Sequence, residues 1–160
     1  MRISDIITPT TIAVGVHIDD KAQVLKFIAA RLGARSGLDP ERIREALAAR
    51  EALGSTGIGQ GVALPHVCFP DLARPYGLFI TLAEPIGFDS IDDEPVDIIC
   101  AIISPLGSGC GADQPLSQLA AICRILRDKA NTPAIRKANN PWTVYDIVVK
   151  STATAAHYVS

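Results

Sequence analysis

The run PVDIICAII, residues 95–103, constrains the fold more than any other stretch of the chain. It is apolar almost throughout, and a strand of that composition is buried on both faces. A sheet that contains it needs cover on both sides. Helical patterns before and after the run can supply that cover. In DDKAQVLKFIAARLGARSG (19–37), Val24, Leu25, Ile28 and Leu32 recur at helical spacing; Asp19 or Asp20 can cap the start and Gly33 or Gly37 the end. In LDPERIREALAARE (38–51), Asp39 suits the N-cap and Pro40 the first helical position. PLSQLAAICRILRDK (115–129) carries Leu116, Leu119, Cys123 and Leu126 on one stripe.

Other segments read less sharply. YGLFITLA (76–83) is a second strand, IGFDSIDDEP can hold a short strand and a turn at Asp92-Asp93, and 104–114 is a loop. The opening, to about Val16, suggests a short helix over 3–7 and a turn at Pro9. Thr132-Pro133 opens a short helix and Asn140-Pro141 a last one. In WTVYDIVVK strand propensity competes with that cap. Helices and strands interleave, so the class is α/β or α+β, one sheet covered by helices. The length of 160 residues suits a single domain over 1–160.

Composition narrows the function. Hydrophobic residues make up 48% and charged residues 20%, which suits a folded globular chain. Net charge is −2 and no Lys/Arg block occurs, so no nucleic-acid partner is expected. The N-terminal segment lacks the apolar core of a signal peptide, and no stretch approaches the roughly 20 apolar residues of a membrane span. A cytoplasmic protein without membrane insertion is expected. Cys68, Cys100, Cys110 and Cys123 show no CxxC spacing, and the three histidines are scattered, so no metal site is expected. Cys100 and Cys123 read as small core residues in a reducing compartment. Asp92, Asp93 and Glu94 are sequential and read as a solvated turn, and His17 and His157 as surface residues.

Chemistry concentrates in GSTGIGQGVALPH, residues 54–66. Gly54, Gly57, Gly59 and Gly61 let backbone N–H groups approach a ligand, and such turns make anion-binding concavities. Ser55 and Thr56 add hydroxyls. VALP reads as a short buried strand that puts His66 at its end, with Pro65 stiffening the stem. Arg50, at a helix end nearby, offers a planar fork for phosphate oxygens. Neutral imidazole is a competent nucleophile near neutral pH. One ring nitrogen must then be free while the other donates to a fixed acceptor, which no side chain in the stretch identifies. Neither a dinucleotide fingerprint nor a Walker loop is present, so no nucleotide cofactor is expected.

The stretch from Arg50 to His66, RE-x-x-GSTGIGQGVALPH, resembles the active-site segment of enzyme IIA domains of the bacterial phosphotransferase system. The match is to the fructose–mannitol class, and within it to the nitrogen-regulatory branch. EPIGFDSIDDEPVDIICAIISP (84–105) and LSQLAAICRILRD resemble the same family, and the likeness runs from about Ser4 to Val149. It implies a single mixed β-sheet flanked by helices. His66 would accept a phosphoryl group from a small histidine-containing phosphocarrier protein and relay or signal it. Regulatory target proteins would read the phosphorylation state. Arg50, Ser55, Thr56 and Gly57 would bind the phosphoryl group. Family members commonly place a second histidine at or just before the helix matched by 115–127. Here Ser117 and Gln118 stand in that region and would take the second histidine's place in binding the phosphoryl group. The alternative is a protein-binding module of the same fold that has lost efficient transfer.

Overall fold

The computed structural model describes residues 2–107 and 117–157, apart from the side chains of Ser117, Gln118 and 152–157. Among these residues the two strongest strand signals are the spine of a six-stranded sheet. β5 (Tyr76–Ile86) and β6 (Val96–Pro105) pair antiparallel over most of their length. β1 (Ile12–Val16) lies parallel to β5 on one side. On the other side β6 carries β3 (Val62–Ala63), which pairs in turn with β2 (Gly57–Gly59), and also β4 (His66–Phe69). The sheet is mixed: β3 and β4 run parallel to β6, while β2 and β5 run antiparallel to their neighbours.

Side-chain alternation along β6 divides the core in two. Ile99, Ala101 and Ile103 face one cluster, with α2 (Lys21–Ser36) and α3 (Pro40–Leu53) packed over it. Ile98, Cys100 and Ile102 face the other. That side is covered by α1 (Ile3–Ile6), α4 (Ser117–Arg127), α5 (Asn131–Lys137) and α6 (Pro141–His157). Burial on both faces is why the run 95–103 needs no polar alternation. Each large side chain so buried contributes about 1.5–3 kcal/mol.

Helix starts follow the predicted caps. Asp20 accepts from the Gln23 N–H at 2.9 Å and Asp39 from that of Glu41 at 3.0 Å. Gly37, not Gly33, ends α2, and Gly33 is buried inside it. In α6 the cap outweighs strand propensity: Asn140 Oδ1 accepts from the Thr143 N–H at 3.0 Å, and WTVYDIVVK is helical. Val144 and Val148, four apart, then face the core.

Two elements depart from expectation. The mixed opening holds strand β1, and the glycine-rich stretch is a β-hairpin rather than an open loop. Gly57 pairs with Ala63 and Gly59 with Val62. The tip has positive φ at Gly59, Gln60 and Gly61. A glycine at 61 relieves the tip, because a Cβ there would meet the Arg136 guanidinium as well as sit at φ +80°.

Candidate functional site

β3 and β4 line the same edge of β6, interrupted at Leu64-Pro65. Val62 and Ala63 pair with Ile98 and Ile99, and His66 to Phe69 pair with Ile102 to Pro105. Pro65 has no N–H to add to a ladder, yet its carbonyl accepts from the Ile102 N–H at 3.0 Å. Leu64, one residue earlier, turns its backbone groups the other way. Its N–H donates to the Thr56 carbonyl at 3.0 Å. The N–H and C=O of one extended residue share an edge, so the Leu64 carbonyl also faces the hairpin side.

There it meets the histidine ring. His66 Nδ1 lies 2.8 Å from the Leu64 oxygen. A carbonyl can only accept, so Nδ1 carries the proton and Nε2, across the ring, keeps its lone pair. This backbone oxygen is the fixed acceptor that no side chain in the sequence revealed. His66 itself is half-buried, at the head of a stem (61–65) that is wholly buried.

Arg50 reaches the same end of the hairpin. Counting back from Gly57 opposite Ala63, Ser55 falls opposite Pro65. Arg50, in the last turn of α3, donates from Nη1 to the neighbouring Gly54 carbonyl at 2.8 Å. A guanidinium has five N–H donors, and this bond uses one.

The tip glycines, Gly59 and Gly61, lie away from the histidine. Gly61 accepts from the N–H groups of Asp97 and Ile98, whereas His66 is level with Ile102. Four residues of strand, roughly 13 Å, separate the tip from the ring. The tip is held on its own. The Gln60 N–H donates to Asp92 at 3.0 Å, and the Gln60 carbonyl accepts from Arg136, whose guanidinium also pairs with Asp97 at 2.9 Å. Asp92 also accepts from the Glu94 N–H, and these two backbone donors hold its carboxyl below the usual range. Asp92, Asp93 and Glu94 are exposed, as expected, yet Asp92 pins the hairpin rather than merely facing water.

The other predicted phosphoryl-binding groups make bonds within the fold. Ser55 Oγ donates to the Phe88 carbonyl at 2.6 Å and accepts from the Gly57 N–H at 3.0 Å. The Thr56 N–H and hydroxyl both donate to Glu51. Ser117 begins α4 with Gln118 after it, and their side chains lie outside the described residues. Glu51 stands beside Arg50 in the quoted motif, but nothing in the sequence indicates that it is buried. It forms an ion pair with Lys21 at 2.7 Å.

Cys100 is fully buried, and burial pushes its thiol up to about 12; half-buried Cys123 is raised for the same reason. Neither is a ready nucleophile. No group of three or more potential ligands capable of holding a metal ion occurs among the described residues. Among them, too, no helix is long and apolar enough to cross a membrane.

An imidazole protonated at Nδ1, at the same end of the hairpin as Arg50, suits an incoming phosphoryl group, and comparison with known proteins points the same way. Residues 5–151 match the family described as phosphoenolpyruvate-dependent sugar phosphotransferase system, EIIA 2. The chain belongs to that family. A nitrogen regulatory protein of Bradyrhizobium diazoefficiens is 36% identical, over 98% of this chain and 100% of its own. One from Escherichia coli is 32% identical over 96% and 93%. The crystal structure of nitrogen regulatory protein IIA-Ntr from Neisseria meningitidis superposes with a TM-score of 0.82 at 28% identity, over 91% of this chain and 98% of that one. The resemblance read from RE-x-x-GSTGIGQGVALPH is therefore borne out. This EIIA 2 protein is similar to nitrogen-regulatory members over nearly its whole length, and it is a member of a phosphotransferase component family.

Proposed function

We propose that this EIIA 2 protein accepts a phosphoryl group on Nε2 of His66 from a histidine-containing phosphocarrier protein and relays or signals it. The observation that carries the reading is the 2.8 Å contact between Nδ1 and the Leu64 carbonyl, which leaves Nε2 as the nucleophile. In the transfer the Nε2 lone pair forms the new N–P bond as the donor's N–P bond breaks, and the donor imidazole leaves neutral. No proton needs to leave His66, because its proton already sits on Nδ1. The new ring cation is stabilised by the Leu64 oxygen, and the phosphoryl oxygens by the unused N–H groups of Arg50. Ser55, Thr56 and Gly57 serve by holding the hairpin base; direct contact with the phosphoryl group requires them to exchange the bonds they now make. The likeness to nitrogen regulatory proteins favours a signalling role, in which target proteins distinguish the two states of His66 by charge.

Incubation with phosphoenolpyruvate and the general phosphotransferase proteins tests this. An acid-labile mass gain of one phosphoryl group is expected in the wild type and none in His66→Ala. No gain in the wild type, or an equal gain in the variant, overturns the reading. Target capture that ignores both donor and His66→Ala supports instead the binding-module alternative.

A further inference from the structure

A buried carboxylate is linked to the histidine by an unbroken set of contacts. Glu51 is 5% exposed at its side chain, in the last turn of α3, and pairs with Lys21 at the start of α2 at 2.7 Å. Both Glu51 oxygens face the Thr56 N–H, at 3.1 and 3.3 Å, and the Thr56 hydroxyl donates to Oε1. The Thr56 carbonyl receives the Leu64 N–H at 3.0 Å, and the Leu64 carbonyl receives the His66 ring at 2.8 Å. On the far side the Pro65 carbonyl is held by Ile102. Lys21 has further neighbours in the segment that follows β5: it lies 3.5 Å from Asp89 and 4.8 Å from the Phe88 ring centroid, and the Phe88 carbonyl holds Ser55. Two helices and this segment thus converge on the hairpin base.

We infer that the Lys21–Glu51 ion pair is a positioning device for His66. It clamps Thr56, and through it Leu64, so that the carbonyl setting the ring tautomer cannot drift. The inference deepens the phosphoryl-acceptor reading and rests on it for its effect on rate. The coupling is mechanical. Thr56 N–H and Thr56 C=O belong to different peptide units, as do those of Leu64, so amide polarisation does not pass along the set. Position does, because each bond fixes the next backbone segment. Burying a charged pair is costly unless every group is satisfied. Here the carboxylate has the Lys21 ammonium and both the N–H and the hydroxyl of Thr56, so it ties the start of α2 to the hairpin base.

Three variants, each checked for folding by its melting curve, test the inference. Glu51→Gln removes the charge, and Thr56→Val removes the hydroxyl bond at nearly constant volume. Gly61→Ala destabilises the hairpin tip and serves as the control for stability alone. Nitrogen NMR of labelled His66 reads the tautomer, and phosphorylation kinetics read the rate. In the wild type and Gly61→Ala the ring holds its proton on Nδ1. In Glu51→Gln and Thr56→Val the two tautomers mix, and transfer slows by roughly 10- to 100-fold with the donor's apparent KM unchanged. Folded Thr56→Val with the wild-type tautomer and rate overturns the inference, and it decides the matter if Glu51→Gln does not fold. Wild-type protein that takes up no phosphoryl group sinks the acceptor reading instead, while the ring spectra still decide whether Glu51 positions His66.

Discussion

The two ends of one hairpin are held by different means. At the tip, Gly59 to Gly61 are fastened by surface groups: Asp92 on the Gln60 N–H, and Arg136 bridging the Gln60 carbonyl and Asp97. At the base, Ser55 to Gly57 are fastened from inside by Glu51, Lys21 and the Phe88 carbonyl. Only the base lies level with Leu64 and Pro65, the two residues that lead into His66. Gly59 and Gly61 at the tip satisfy a turn, and His66 lies at the other end. A glycine-rich approach to a histidine is therefore no evidence that the glycines contact the ligand.

The comparison predicts unequal effects for similar substitutions. Gly57→Ala is the most damaging. Its Cβ would run into the Ser90 side chain, which is buried and has no hydrogen-bond partner among the described residues. A loss of about 1–3 kcal/mol is expected from the crowding, with slower phosphoryl uptake at His66. Denaturant unfolding and uptake kinetics on one preparation read both. Gly61→Ala forces a side chain into the left-handed region beside the end of the Arg136 side chain, at a cost of about 1–2 kcal/mol. Uptake should stay at the wild-type rate. Equal loss of uptake in both variants would break the distinction between tip and base.

The smallest effect belongs to Asp92→Asn. Asp92 is exposed and its carboxyl is lowered by two backbone N–H donors. A carboxyl lowered in the folded state stabilises fully above its unfolded value of about 3.9 and loses that contribution as pH falls through the folded value. The melting temperatures of wild type and variant should therefore differ by a small constant amount near neutrality and converge in acid. A gap that widens in acid would contradict the hydrogen-bonding assigned to Asp92.

The parts of the fold that depend on periodicity were legible. β5, β6 and the α2 stripe follow from side-chain pattern, and Asn140 announces α6 even against the β-branched run behind it; in α4 the expected stripe is turned, with Ile122, Ile125 and Leu126 in the core, Leu119 and Cys123 half-buried, and Leu116 outside the described residues. β1 escaped notice because Gly15 interrupts a short strand, and the hairpin because glycine is depleted in strands. His66 and Arg50 stand out by residue type and motif. The Leu64 carbonyl does not, since every residue has one and only register decides where it points. Glu51 is equally silent: its charge suggests exposure, and its burial depends on Lys21, thirty positions earlier and on another helix.

The central claim is that His66 offers Nε2 because the Leu64 carbonyl holds the proton on Nδ1. Phosphorus–nitrogen coupling in the phosphorylated protein, labelled at its histidine ring nitrogens, tests it directly. Coupling to Nε2 of His66, with Nδ1 still protonated, is the predicted result. Coupling to Nδ1, or to another histidine, would contradict it.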